Sequence, residues 1–114
     1  MHDTGAKTVL GQTLPPGGGQ RDGERVLDIL AAHPSTAAHI ARKLATRFVS
    51  DAPPQALVDR AAAVFRRSGG DLKQVTRAII TSPEFKAAQG AKVKTPFEFV
   101  VTALRATGAD IRNA

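Results

Sequence analysis

Proline and glycine divide this 114-residue chain into short segments, each with its own helix-start or helix-end residues. His33–Pro34, Pro53–Pro54 and Ser82–Pro83 mark helix starts, because proline fits the first helical position and disfavours a helical residue before it. Gly69–Gly70 and Gly108 mark helix ends, because glycine readily adopts the left-handed conformation of a C-cap. This spacing predicts several helices of modest length joined by short turns.

Within the segments, apolar residues recur with a period near 3.6, as expected for helices that bury one face. The predicted helices start, in order, at Asp22, at Pro34 or Ser35, at Pro53–Pro54, at Asp71 and at Thr95, with a short helical turn anchored by Phe85. Their predicted apolar stripes include Leu30, Phe48, Leu72 and Ile80 and, on the last helix, Phe97, Val100, Val101 and Leu104. Aromatic residues make up only 4% of the chain and alanine is abundant, which favours closely packed helices over a β-sandwich. We predict an all-α fold, a compact bundle of about five short helices.

The first twenty residues differ in composition from the rest. They contain TLPPGGGQ, in which two prolines and three glycines cannot continue a helix or a strand. Before this run, Lys7–Gly11 is predicted to form at most a short extended piece. The run lacks the lysine and serine or threonine that end a phosphate-binding loop. We predict a flexible Pro/Gly-rich N-terminal arm over residues 1–20 and a helical domain over residues 21–114.

Residues that could carry chemistry are few. No cysteine is present, which excludes disulfides, thiolate zinc sites and cysteine nucleophiles. We expect His33 to be buried or half-buried and bonded to the backbone at a helix junction, and His39 to face solvent. They are six residues apart across a proline, unlike the one-turn spacing of a helical metal pair. Serine and acidic residues fall at helix starts, where capping explains them. We identify no catalytic residue, no metal ligand and no cofactor site.

The basic residues are the remaining candidates. The formal net charge is +6 and the pI is near 10.5, a balance that permits contact with an anionic polymer. The candidate binding residues on the second and third predicted helices are Arg42, Lys43, Arg47, Arg66 and Arg67. The cations near helix ends also have a structural explanation, because the negative end of the helix dipole favours nearby cations. Phe99 is predicted to project away from its helix's apolar stripe and to pack against a neighbouring element or domain rather than a nucleic-acid base.

Three stretches go beyond generic helices: HDTGAKTVLGQTLPPGGGQRDGERVLDILAAHPSTAAHIARKLATRFVSDAPP, FRRSGGDLKQVTRAIITSPEF and KVKTPFEFVVTALRATG. Together they resemble the C-terminal part of the bacterial DUF1800 family, over nearly the whole chain. The combination of HP, KL and RFV with GDL and AIITSPEF also resembles tail domains of large exported planctomycete-type proteins. The resemblance carries over no activity, cofactor or catalytic residue. It implies a longer, exported parent protein, in which His2 and Lys7 would meet a site formed mostly by other residues.

We therefore expect a non-catalytic helical domain of a larger exported bacterial protein, with the remainder of that protein as its partner. Two alternatives remain open. One is a binding module for nucleic acid or an acidic polysaccharide, and the other is a domain that lends His33 or His39 to an enzyme site in the parent. No apolar run approaches the ~20 residues of a membrane span. We expect a monomer.

Overall fold

The computed structural model describes residues 3–109, which form a short β-hairpin followed by six helices. The strands β1 (Lys7–Val9) and β2 (Gln12–Leu14) pair antiparallel. The helices are α1 (Gln20–Ala32), α2 (Pro34–Phe48), α3 (Gln55–Arg67), α4 (Leu72–Ile80), α5 (Pro83–Ala87) and α6 (Pro96–Thr107). The prediction of an all-α bundle is confirmed, with one small sheet in addition.

The helices begin where side chains satisfy the free N–H groups of the first turn. The Nδ1 atom of half-buried His33 accepts a hydrogen bond from the Ser35 backbone N–H at 3.1 Å, which confirms its predicted role at a helix junction. The Asp71 carboxylate accepts from two backbone N–H groups of α4. Thr95 and Glu98 form the reciprocal capping box predicted for α6. Local sequence therefore explains where these three helices start.

The hydrophobic core lies where α2, α3 and α4 meet. Ala37, Ala41 and Ala45 follow one another at one-turn intervals along α2, and all three are fully buried. Opposite them, the core residues of α3 and α4 are Leu57, Val58, Ala61, Ala62, Phe65, Val75 and Ile79. The fully buried residues of α2 contribute only methyl groups, and its Ile40 and Leu44 pack against the core while partly buried. The larger buried side chains of α3 and α4 therefore supply most of the core volume.

The hairpin orders part of the predicted N-terminal arm. Leu10 (φ +49°) and Gly11 (φ +76°) form a two-residue turn with both φ angles positive, as a type I′ hairpin turn requires. Leu14 is buried, with 4% of its surface exposed. The Lys7 ammonium lies 3.6 Å from the Asp22 carboxylate of α1, which ties β1 to the first helix. The division at residue 20 remains a prediction.

Several apolar residues predicted on the helix stripes are exposed instead: Leu30, Phe48, Leu72, Ile80, Phe97 and Val100. Phe85, the predicted anchor of the short helical turn, is also exposed. The difference is largest on α6, which has no buried residue. Val101 and Leu104 are half-buried there. The prediction of a buried stripe on α6 is wrong, because an amphipathic pattern shows that a helix can bury one face but does not supply the surface that covers it.

The elements outside the core extend away from it. The radius of gyration is 20.2 Å, whereas a compact chain of this length would have a value of about 13 Å. On α1, Leu27 exposes 66% of its surface. The three-helix core is thus flanked by helices whose apolar side chains remain open to contact.

Candidate binding surface

A concentration of positive charge lies on the exposed side of α2. A cleft of about 510 Å³ is lined by His39, Arg42, Lys43, Thr46, Arg47 and Lys92, and we call it the basic cleft. Arg42 and Lys43 are adjacent, and Thr46 and Arg47 follow about one turn later, so helical spacing places them together. Lys92 comes from the connection between α5 and α6. The fold therefore adds a cation from a distant part of the chain to the basic back of α2.

A second depression of about 570 Å³ lies between the C-terminal end of α2 and α6, and we call it the α2–α6 groove. It shares Arg47 and Lys92 with the basic cleft. The residues that only the groove contains are Phe48, Lys94, Phe97, Glu98, Val101, Thr102 and Arg105. The groove thus combines four cations and one carboxylate with two phenylalanines and a valine.

Ion pairs connect the elements around this surface. The Arg47 guanidinium donates a hydrogen bond to the Glu98 carboxylate, which joins α2 to α6. That bond, together with those from the Thr95 backbone and side chain, lowers the pKa of Glu98 to about 2. Lys92 pairs with Asp51, which follows α2. The first contact holds α6 beside α2, and the second holds the connection before α6 beside the segment that follows α2.

The candidate residues from sequence divide into two groups. Arg42, Lys43 and Arg47 lie together in the basic cleft. Arg66 lines a separate cleft with Asp28 and Phe65 between α1 and the end of α3, and Arg67 lines another depression beside α4. The last two residues of α3 therefore contribute to neither the basic cleft nor the groove.

Sequence reasoning did not find Lys92, Lys94, Phe97 and Arg105. The sequence signals of the cations were the alternation of lysines in AKVKTP and a cation in the last turn of α6, and Phe97 was predicted to lie on a buried stripe. Such signals are ordinary on solvent-exposed chain segments. Their proximity to α2 arises from tertiary contacts such as the Arg47–Glu98 pair, whose partners are 51 residues apart.

The remaining residues that could carry chemistry are the histidines and the carboxylates. His39 is exposed, as predicted, and His2 lies outside the described residues. Within residues 3–109 no three His, Cys, Asp or Glu side chains converge as metal ligands would. Glu84 forms an ion pair with Arg60 at 2.5 Å. The hydrogen bond from Arg60 lowers the pKa of Glu84, so this carboxylate remains a negatively charged structural partner.

The basic cleft and the α2–α6 groove together bring cationic and apolar side chains to one surface. In the part of the chain covered by the structure, no helix is long and apolar enough to span a bilayer.

Comparison with known proteins identifies one family. Neither the curated proteins nor the solved structures include a match to this chain. A family model described as protein of unknown function (DUF1800) matches residues 1–114, the whole length of the chain. This chain belongs to the DUF1800 family.

Proposed function

We propose that this chain is a non-catalytic packing domain of a longer, exported bacterial protein, and that the outer face of α6 docks on the remainder of that protein. The outer face consists of Phe99, Val100 and Ala103, which do not line the α2–α6 groove. The observation that carries the proposal is that α6 is predominantly apolar yet contains no buried residue. The exported location is supported by the family resemblance.

The exposure of the outer face is large for its residue types. Phe99 exposes 66% of its surface and Val100 exposes 54%. Covering a large apolar side chain stabilises a protein by about 1.5–3 kcal/mol. A helix of 12 residues is marginal in water without a packed face, because helix nucleation is unfavourable. A covering surface would therefore stabilise both the helix and its docked position.

The test compares the same substitutions in two proteins. In the longer protein, Phe99→Ser combined with Val100→Ser should lower the free energy of unfolding by about 3 kcal/mol, because two covered apolar side chains are lost. In the 114-residue chain, the same pair should change it by less than about 1 kcal/mol, because both side chains are already exposed. Thermal unfolding followed by circular dichroism measures both.

The control is Leu72→Ser on α4, an apolar residue that exposes 53% of its surface beside Lys73 and Thr76. It should have a small effect in both proteins. Hydrogen exchange of the α6 amides gives a second measurement and should be slower in the longer protein. The proposal would be refuted if Phe99→Ser combined with Val100→Ser had an equally small effect on the free energy of unfolding of both proteins and the α6 amides exchanged equally fast in both.

A further inference from the structure

We propose that the α2–α6 groove binds an acidic peptide segment that carries large apolar side chains. The groove is separate from the outer face of α6. It is lined by Phe97, Val101 and Arg105, whereas the outer face consists of Phe99, Val100 and Ala103. The two proposals therefore depend on different side chains of the same helix.

The apolar part of the groove is contributed by both helices. Phe48 is the last residue of α2 and exposes 42% of its surface, and Phe97 of α6 exposes 77%. Val101 lies one turn after Phe97 and is half-buried. Two phenylalanines open to solvent beside a half-buried valine provide a surface on which large apolar side chains of a partner would be removed from water.

The charges of the groove are unequal. Arg47 is paired with Glu98, the one carboxylate that lines the groove, and Lys92 is paired with Asp51. Among residues 3–109, Lys94 and Arg105 form no ion pair. The groove therefore presents two cations that can pair with carboxylates of a partner. The adjoining basic cleft adds Lys43, which also forms no ion pair within that range.

The dimensions suit a short peptide. Phe97 and Arg105 are eight residues apart on α6, which corresponds to about 12 Å along the helix axis. An extended peptide covers this distance with about four residues. Carboxylates near Lys94 and Arg105 could thus flank apolar side chains placed between Phe48 and Phe97.

The same groove is less suited to single-stranded nucleic acid. Proteins that bind single strands combine exposed aromatic rings with cations that follow a phosphate on every nucleotide. Here the Glu98 carboxylate lies among the cations, and its bond to Arg47 keeps it negatively charged. A continuous row of phosphates would approach this carboxylate, whereas a peptide can place an uncharged side chain beside it.

Fluorescence anisotropy with the 114-residue chain tests the proposal. The probe is a fluorescein-labelled octapeptide in which aspartates and glutamates surround one leucine and one phenylalanine. Two further probes are the same peptide with both apolar residues replaced by serine, and labelled oligothymidylate. The first peptide should bind at low salt and bind less tightly as salt is added, because the cations at the rim are exposed.

Two pairs of variants separate the groove from general charge. Lys94→Glu combined with Arg105→Glu should weaken peptide binding about tenfold, because two exposed attractions become repulsions. Arg66→Glu combined with Arg67→Glu makes the same change in net charge away from the groove and should weaken binding less than about twofold. Phe97→Ser should also weaken binding, and Phe99→Ser should not. The substituted side chains are exposed, but Arg66, Arg67 and Arg105 lie in the last turns of their helices, where cations are favourable. Circular dichroism of each variant therefore measures whether its helix content is retained.

Four results would each overturn the proposal. They are no binding of the first peptide, equal weakening by both charge-reversed pairs, equal binding of the serine peptide, and tighter binding of oligothymidylate than of the peptide. Equal binding of the serine peptide would show that charge alone accounts for the binding. Tighter binding of oligothymidylate would assign the surface to nucleic acid. None of them bears on whether Phe99 and Val100 are covered in the longer protein, so this proposal and the packing function can fail separately.

Discussion

The packing of α3 against α2 and α4 makes a quantitative prediction about Leu57. This side chain exposes only 1% of its surface and is among the largest fully buried side chains of the core. Leu57→Ala removes three carbon groups, and at about 0.8 kcal/mol for each one the lost burial amounts to about 2.4 kcal/mol. The remaining cavity raises the expected loss in the free energy of unfolding to about 3–4 kcal/mol.

Leu27→Ala on α1 is the matched control, because it makes the same chemical change in another helix. Leu27 exposes 66% of its surface, so about one third of the lost burial applies and the expected loss is about 0.8 kcal/mol. The two substitutions also have similar effects on helix propensity. A difference of at least about 2 kcal/mol between the variants is therefore expected from burial alone.

Urea unfolding followed by far-ultraviolet circular dichroism measures this difference. The chain contains no tryptophan and no tyrosine, so helix content is a more direct signal than intrinsic fluorescence. Similar losses for Leu57→Ala and Leu27→Ala would refute the assignment of the core to the contact between α2, α3 and α4. An unchanged slope of the free energy of unfolding against urea concentration would show that both variants still unfold from the same folded state.

Two further predictions concern backbone conformation and pH. Gly23→Ala should stabilise the chain by about 0.5–1 kcal/mol, because Gly23 lies inside α1 with open space at the Cβ position. Gly70→Ala should destabilise it by about 1–2 kcal/mol, because Gly70 has φ +90° and its Cβ would lie 3.4 Å from the Phe65 ring; urea unfolding measures both, and stabilisation by Gly70→Ala would contradict the prediction. The folded-state pKa of Glu98, about 2, lies below its ordinary value of 4.5, so its stabilising effect is present above the ordinary pKa and is lost as pH falls toward about 2. The protection factors of the α6 amides, which are exchange rates corrected for the intrinsic effect of pH on exchange, should fall over that range in the native chain and change less in Glu98→Gln. An identical pH dependence of the protection factors in both proteins would contradict the role of this carboxylate.

The positions of the helices were largely predictable from sequence because capping acts over three or four residues. The capping box of Thr95 and Glu98 and the start of α5 after Ser82 depend on side chains and backbone groups within one turn. The hairpin was harder to predict. Its turn contains Leu10 in the left-handed region, where residues other than glycine, asparagine and aspartate are uncommon. The sequence therefore lacks the Asn-Gly or Asp-Gly pair that usually indicates a two-residue hairpin turn.

The candidate surface was only partly predictable for a related reason. Arg42, Lys43 and Arg47 lie within about one and a half turns of one helix, so their proximity follows from helical geometry. Arg66 and Arg67 have the same chemistry but lie at the end of a different helix, away from that surface. Similar charge in the sequence does not establish a shared surface.

By itself the sequence determined that the chain forms short helices, where most of them start and end, and that its titratable groups serve mainly as caps and surface charges. These properties depend on interactions between residues close in the chain. Only the tertiary structure decided that Phe48 of α2 and Phe97 of α6, both placed on apolar stripes by their spacing, are exposed. It also placed Lys92, Lys94 and Arg105 beside α2. The physical reason is that amphipathicity describes what a helix can bury, whereas burial and charge clustering depend on which distant segments are present to pack against it.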